Sequence, residues 1–154
     1  MKNSTPQKIA SFTIDHDLIK EGIYVSRIDG DVVTYDLRTR VPNSGDYLDD
    51  VTMHSVEHML ATFLRSSKIG KSVIYFGPMG CRTGFYLLVR NADNFVVLNE
   101  LKLALKNTIN YDGEIFGNTR KECGNYKCLS LESAKTECKR YLNILENKTI
   151  TFNY

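Results

Sequence analysis

Met53-His54-Ser55-Val56-Glu57-His58-Met59-Leu60 is the stretch that decides how this chain folds and what it carries. In a helix, His54 and His58 stand one turn apart and about 40° apart around the axis, with Glu57 about 60° from His54. Val56, Met59, Leu60, Phe63 and Leu64 fall on the opposite arc. One face then packs inward while the other offers two imidazoles and a carboxylate. That set suits a divalent metal with a general acid/base standing beside it. Histidines at this spacing also occur as solvated or core-capping side chains. Here the intervening Glu57 and the scarcity of histidine elsewhere, with only His16 outside the stretch, favour the metal.

The whole chain of 154 residues suits one domain with a sizeable core. A hydrophobic content of 42% and a charged content of 25% are those of a soluble globular protein. The net charge of +2 is small and the lysines and arginines are dispersed, which argues against a nucleic-acid partner. No apolar run approaches the ~18 residues that span a bilayer. Residues 1–7 are polar and lack the apolar core of a signal peptide, so they are expected to be a flexible lead-in to a cytoplasmic protein with no membrane partner. In a reducing compartment Cys81, Cys123, Cys128 and Cys138 are expected as free thiols. Their spacings contain no Cys-x-x-Cys, which sets aside a zinc ribbon or a thioredoxin-type site.

Outward from the histidine stretch, Asp49 and Asp50 precede the helix, where negative charge is favourable, and the helix is expected to run to about Ser66. Residues 22–28 and 31–39 read as two strands joined by a hairpin at Asp29-Gly30, since glycine tolerates the positive φ of a tight primed turn. Val32, Thr34, Asp36 and Arg38 alternate with Val33, Tyr35 and Leu37 at the period of a strand. Residues 72–76 and 85–89 are two more expected strands, separated by a break at Gly77-Pro78-Met79-Gly80. Residues 9–14 alternate and are expected to be extended, while residues 41–50 form a loop. Residues 94–110 have the apolar period of an amphipathic helix, 111–125 a long loop, and Ser130 is a plausible cap for a last helix reaching about Glu146. These elements predict an α+β fold, a mostly antiparallel sheet with helices packed on one face.

Two histidines on a helix need a third ligand from elsewhere. Cys123, in Glu122-Cys123-Gly124-Asn125, is modestly preferred over Cys128, and a buried inert thiol is the alternative for either. A His/His/Cys set with an open fourth position is a catalytic rather than a structural arrangement. Mixed nitrogen and sulfur ligation suits Zn(II) or Fe(II) better than Mg(II) or Ca(II). Cys81 lies between two strands with glycines on either side, open to a substrate, and a cation or metal beside it would favour the thiolate. The plain alternative is a turn with an incidental cysteine. Cys138, at helical spacing with Ala134, Tyr141 and Leu142, reads as core.

Taken together, His54-Ser55-Val56-Glu57-His58, Gly77-Pro78-Met79-Gly80-Cys81-Arg82-Thr83-Gly84-Phe85-Tyr86-Leu87 and Glu122-Cys123-Gly124-Asn125 resemble, in order, the motifs of the S-ribosylhomocysteine lyases, the autoinducer-2 synthesis proteins of the LuxS family. Ser11-Phe12…Asp15-His16 and Asp36-Leu37-Arg38…Pro42-Asn43 extend the resemblance over nearly the whole chain. It implies a metalloenzyme that splits S-ribosylhomocysteine into homocysteine and 4,5-dihydroxy-2,3-pentanedione by carbonyl migration and β-elimination. It further implies one divalent metal per subunit, Fe(II) with Zn(II) or Co(II) able to substitute, held by His54, His58 and Cys123. Cys81 would be the thiolate base and Glu57 the second acid/base. Ser11, His16 and Arg38 would contact the small-molecule substrate, in part across the interface of a homodimer. Tyr75 and Leu129 depart from the family pattern, which expects an aspartate and a histidine there.

Two other readings remain at this level. His-x-x-Glu-His is also the signature of an inverted-motif zinc peptidase, in which Glu57 would activate water and a distal carboxylate such as Glu132 would be the third ligand. A metal-binding module without turnover would close its metal site and give Cys81 no role.

Overall fold

A computed structural model describes residues 5–154; the first part of the expected lead-in, residues 1–4, lies outside the described residues. Strands β1 (Gly22–Asp29) and β2 (Val32–Arg38) form the expected hairpin, and Gly30 turns it with φ +61°. Strands β3 (Val73–Pro78) and β4 (Gly84–Arg90) complete an antiparallel sheet of order β1-β2-β4-β3. The break expected at Gly77-Pro78 falls later: Gly77 pairs with Tyr86 and Pro78 with Phe85. Proline is tolerated there because β3 is an edge strand and needs no outward donor.

Side chains alternate across the sheet. Tyr35 and Leu37 on β2, and Phe85, Leu87 and Val89 on β4, are buried against the helices. Thr34, Tyr86 and Leu88 lie on the other face and are only partly covered. The helices are α1 (Asp50–Arg65), α2 (Asn94–Asn110) and α3 (Leu131–Asn147). Each begins at an oxygen-bearing side chain that accepts a main-chain N–H: Asp49 from Thr52, Asp93 from Val96 and Ser130 from Ser133. Helix α1 lies centrally, touching β3, α2 and α3, and contributes Val56, Met59, Leu60 and Leu64 to the core.

Residues 9–14 are not extended. Ala10–Phe12 form a short 3-10 turn, closed by the Thr13 N–H and hydroxyl, both donating to the Ala10 carbonyl. Alternation alone does not make a strand where no neighbour supplies a ladder. Ser72 likewise belongs to a 3-10 turn, Gly70–Ser72, and not to β3.

Candidate metal centre

The exposed side of α1 presents His54 and His58 with ring centroids 4.5 Å apart and planes at 87°. Residues 111–130, without helix or strand, fold over this side. Tyr111 and Phe116 pack on Phe63 of α1, at centroid distances of 6.0 and 5.3 Å, and anchor the start of the loop. At its far end the Ser130 N–H donates to the buried Ser55 hydroxyl at 2.8 Å. Ser55 sits between the two histidines' neighbours on the inward arc, so one helix fixes both ends of the loop.

That loop sets the histidine chemistry. His54 Nδ1 lies 2.8 Å from the Cys128 carbonyl, and His58 Nδ1 lies 2.7 Å from the Phe116 carbonyl. A carbonyl only accepts, so each Nδ1 carries the proton and each Nε2 keeps its lone pair for a ligand. Cys123 Sγ comes to 3.4 Å from His54 Nε2, and its sulfur accepts from the Asn125 N–H at 3.4 Å. Ligand atoms of His54, His58 and Cys123 all lie within 4.8 Å of one another. Zn–N near 2.0 Å and Zn–S near 2.3 Å at a tetrahedral angle place N and S about 3.5 Å apart, and the 3.4 Å between His54 Nε2 and Cys123 Sγ fits two ligands of one ion.

Of the two cysteines weighed, Cys123 brings its sulfur to the imidazoles, while Cys128 meets His54 through its main-chain carbonyl. The carboxylate required by the peptidase alternative is not in place. Glu132 is exposed on the first turn of α3, beside Arg40 and Thr52, and among the described residues the group able to hold a metal is His54, His58 and Cys123. Glu57 is half-buried on α1 between the two histidines.

Cys81 occupies the β3–β4 turn. Leu48 N–H donates to the Arg82 carbonyl at 2.9 Å, and Arg82 pairs with Asp50 at 2.9 Å, so the turn is pinned to the start of α1, one turn ahead of His54. The Cys81 sulfur is exposed and lies 3.0 Å from the Thr83 hydroxyl. Arg38 stands behind it. Its Nη1 donates to the Thr83 hydroxyl at 2.7 Å, and its Nε and Nη2 donate to Asp36 at 3.0 and 2.5 Å. Burial works against the Arg38 charge, but hydrogen bonds and charge from Asp36, with Cys81 and Tyr154 behind it, raise the guanidinium pKa on balance. Tyr154 caps the pair, its hydroxyl donating to Asp36 Oδ2 at 2.7 Å while its ring stacks on Tyr24 at 4.8 Å.

The predicted residues thus fall into three groups. His54, His58 and Cys123 converge; Cys81 and Arg38 are joined through Thr83; Ser11 and His16 stand apart from both. Ser11 lines a groove on the outer face of the sheet with Thr34, Tyr75, Tyr86 and Leu88. His16 Nδ1 lies 2.9 Å from the Ile14 carbonyl. Arg38, expected against substrate, is only 1% exposed within one copy of the chain. Sequence reasoning missed Asp36, Thr83, Phe116 and Gly117. The strand period does put Asp36 and Arg38 on one face, and that signal was available.

A model of the S-ribosylhomocysteinase (LuxS) family matches residues 9–151. An S-ribosylhomocysteine lyase of Finegoldia magna is 46% identical over 145 residues, covering 91% of this chain and 92% of that protein. One from Borreliella afzelii is 42% identical over 147 residues, covering 92% and 94%. One from Clostridium beijerinckii is 44% identical over 153 residues, covering 93% and 94%.

Proposed function

The chain belongs to the S-ribosylhomocysteinase (LuxS) family, and from that premise we propose that it splits S-ribosylhomocysteine into homocysteine and 4,5-dihydroxy-2,3-pentanedione, the autoinducer-2 precursor, at the His54–His58–Cys123 centre. It is a carbon–sulfur lyase. The observation that supports the assignment to this centre is the gathering of ligand atoms of His54, His58 and Cys123 within 4.8 Å of one another, with both Nδ1 atoms turned to the Cys128 and Phe116 carbonyls.

A divalent ion held there, Fe(II) in our reading with Zn(II) or Co(II) able to replace it, would polarise the carbonyl of the opened sugar. The chain's own groups handle the protons. Cys81 reaches solvent from a turn fixed to the start of α1, and we assign it the proton beside the carbonyl. Glu57, next to both histidines, takes the complementary transfer on another part of the substrate. Two groups suit the step, because as a carbonyl moves along the chain one carbon loses a proton, its neighbour gains one, and a proton passes between the two oxygens. Once the carbonyl stands two carbons from sulfur, a further deprotonation expels homocysteine, whose sulfur leaves with the bonding pair and is then protonated. Arg38 supplies positive charge from beneath Cys81.

We place the working site at the contact of two copies, with Ser11 and His16 as substrate contacts delivered across it. The partly covered apolar groove of the outer sheet face, where Ile9, Tyr75 and Leu88 lie, supports that arrangement. Among the described residues no helix is long and apolar enough to cross a membrane. The four cysteines are free thiols, which suits the cytoplasm we assign.

The test is release of thiol from S-ribosylhomocysteine by the Fe(II)- or Co(II)-loaded protein and by Cys81→Ala. Homocysteine from the parent and none from a variant that still holds metal is the expected result. No thiol from the loaded parent overturns the lyase; turnover surviving in Cys81→Ala moves the base to Glu57.

A further inference from the structure

We propose that Thr83 is a positioning residue for Cys81, its hydroxyl accepting from Arg38 and turning its own proton to the Cys81 sulfur. The proposal rests on the reading of Cys81 as the proton-transfer group. Its basis is a count of donors and acceptors. A threonine hydroxyl has one proton and two lone pairs. Arginine stays protonated and offers no acceptor, so the 2.7 Å contact from Nη1 must use a lone pair of Thr83 Oγ1. The hydroxyl proton then needs an acceptor elsewhere.

Few are in reach. Thr83 is 2% exposed, so bulk water does not compete. Its main-chain carbonyl already receives the N–H groups of Thr39 and Arg40, each at 3.0 Å. The Cys81 sulfur, at 3.0 Å, is the acceptor that remains. When Cys81 is protonated its sulfur still has lone pairs and goes on accepting the Thr83 hydroxyl proton, while the S–H turns to the open side. Thr83 therefore serves both states of the thiol and keeps its own proton throughout. The proton gained or lost by Cys81 passes to or from substrate alone.

The frame behind the hydroxyl is buried, with Asp36 and Arg38 each 1% exposed. Asp36 holds the guanidinium by two bonds, and Tyr154 donates to that carboxylate. In such surroundings a hydrogen bond to an ionised acceptor is roughly twice as strong as a neutral one. The sulfur itself stays open. Support from below with access from above is what a proton-transfer thiol requires.

The experiment is the rate of iodoacetamide alkylation at pH 7 in the metal-loaded protein, read by mass spectrometry on the peptide carrying Cys81. Thr83→Val keeps the shape and loses the hydroxyl; Thr83→Ser keeps the hydroxyl. Because the thiolate is the nucleophile, Thr83→Val is expected to slow alkylation about tenfold, with Thr83→Ser within about twofold of the parent. A rate for Thr83→Val equal to the parent overturns the proposal. So does a Thr83→Ser rate as low as that of Thr83→Val, since the hydroxyl would then not be the cause. Should Thr83→Val not fold, Thr83→Ala against Thr83→Ser reads the same difference. No turnover is needed, so a slowed Thr83→Val beside an inactive parent would remove the lyase reading and leave this one standing.

Discussion

Gly117 presses its main chain against the ring of His58: a methyl group on its α-carbon would lie 3.0 Å from His58 Nδ1. Its φ of +67° is also one that side chains rarely adopt. Gly117→Ala is therefore expected to push His58 off the Phe116 carbonyl and loosen the metal centre. Groups that orient a ligand are worth about 10- to 100-fold in metal affinity, and about tenfold is expected here. Competition against a chromogenic chelator measures it; unchanged affinity would contradict the role given to this contact.

The division of labour between two cysteines gives a second prediction. Cys123→Ala removes the sulfur and should leave the protein without bound metal after dialysis. Cys128→Ala should keep its metal, because what reaches His54 from Cys128 is a main-chain carbonyl. Metal content by atomic emission separates the two. Loss in both variants would mean that the Cys128 thiol matters.

Asp49 provides a pH-dependent test of α1, which carries both histidines. The Thr52 N–H at 2.8 Å, with the Thr52 hydroxyl at 2.9 Å, holds the Asp49 carboxyl below its ordinary range. A carboxylate depressed in the folded state stabilises above its unfolded pKa, and that stabilisation disappears as pH falls through the folded value. Asp49→Ala should cost about 1 kcal/mol at pH 7, a typical value for a lost helix cap. The gap should narrow below about pH 4, where the unfolded carboxylate titrates. Urea unfolding at pH 7 and pH 3 reads it, and a gap of constant size would refute the assignment.

Cys138 should behave oppositely to Cys81. Burial pushes its thiol up to about 12, with the Thr108 hydroxyl opposing and the Glu137 charge adding to the rise. At pH 8 it should resist alkylation in the folded protein and react only in denaturant, as peptide mass spectrometry would reveal. Modification in the native state would show that α3 opens readily.

Much of this was legible in the chain because it is local. The spacing of His54 and His58, the Asp29-Gly30 turn and the Ser130 cap each depend on a few consecutive residues. Long-range relations were not. No local rule links Phe116 to His58, 58 positions away, or Ser130 to Ser55, 75 positions away. The Asp36–Arg38 pair shows an intermediate case. Its spacing places both on one face, but a charged pair at alternate strand positions reads as a wet surface, and it takes Tyr24 and Tyr86 on the flanking strands and Tyr154 from the far end of the chain to border it. Residues 9–14 misled for a related reason, since alternation carries no information about whether a partner strand exists.

The loop of residues 111–130 ties two of its own carbonyls to the histidines and brings the third ligand on the same segment. A bound ion and this segment therefore come free together. When the loop lifts, the sulfur departs and both imidazoles lose the acceptors that fix their tautomer in one event. Residence time of the ion becomes a clock for local opening. Exchange of one metal for another should follow the rate at which this stretch unfolds, whatever the competing ion in solution.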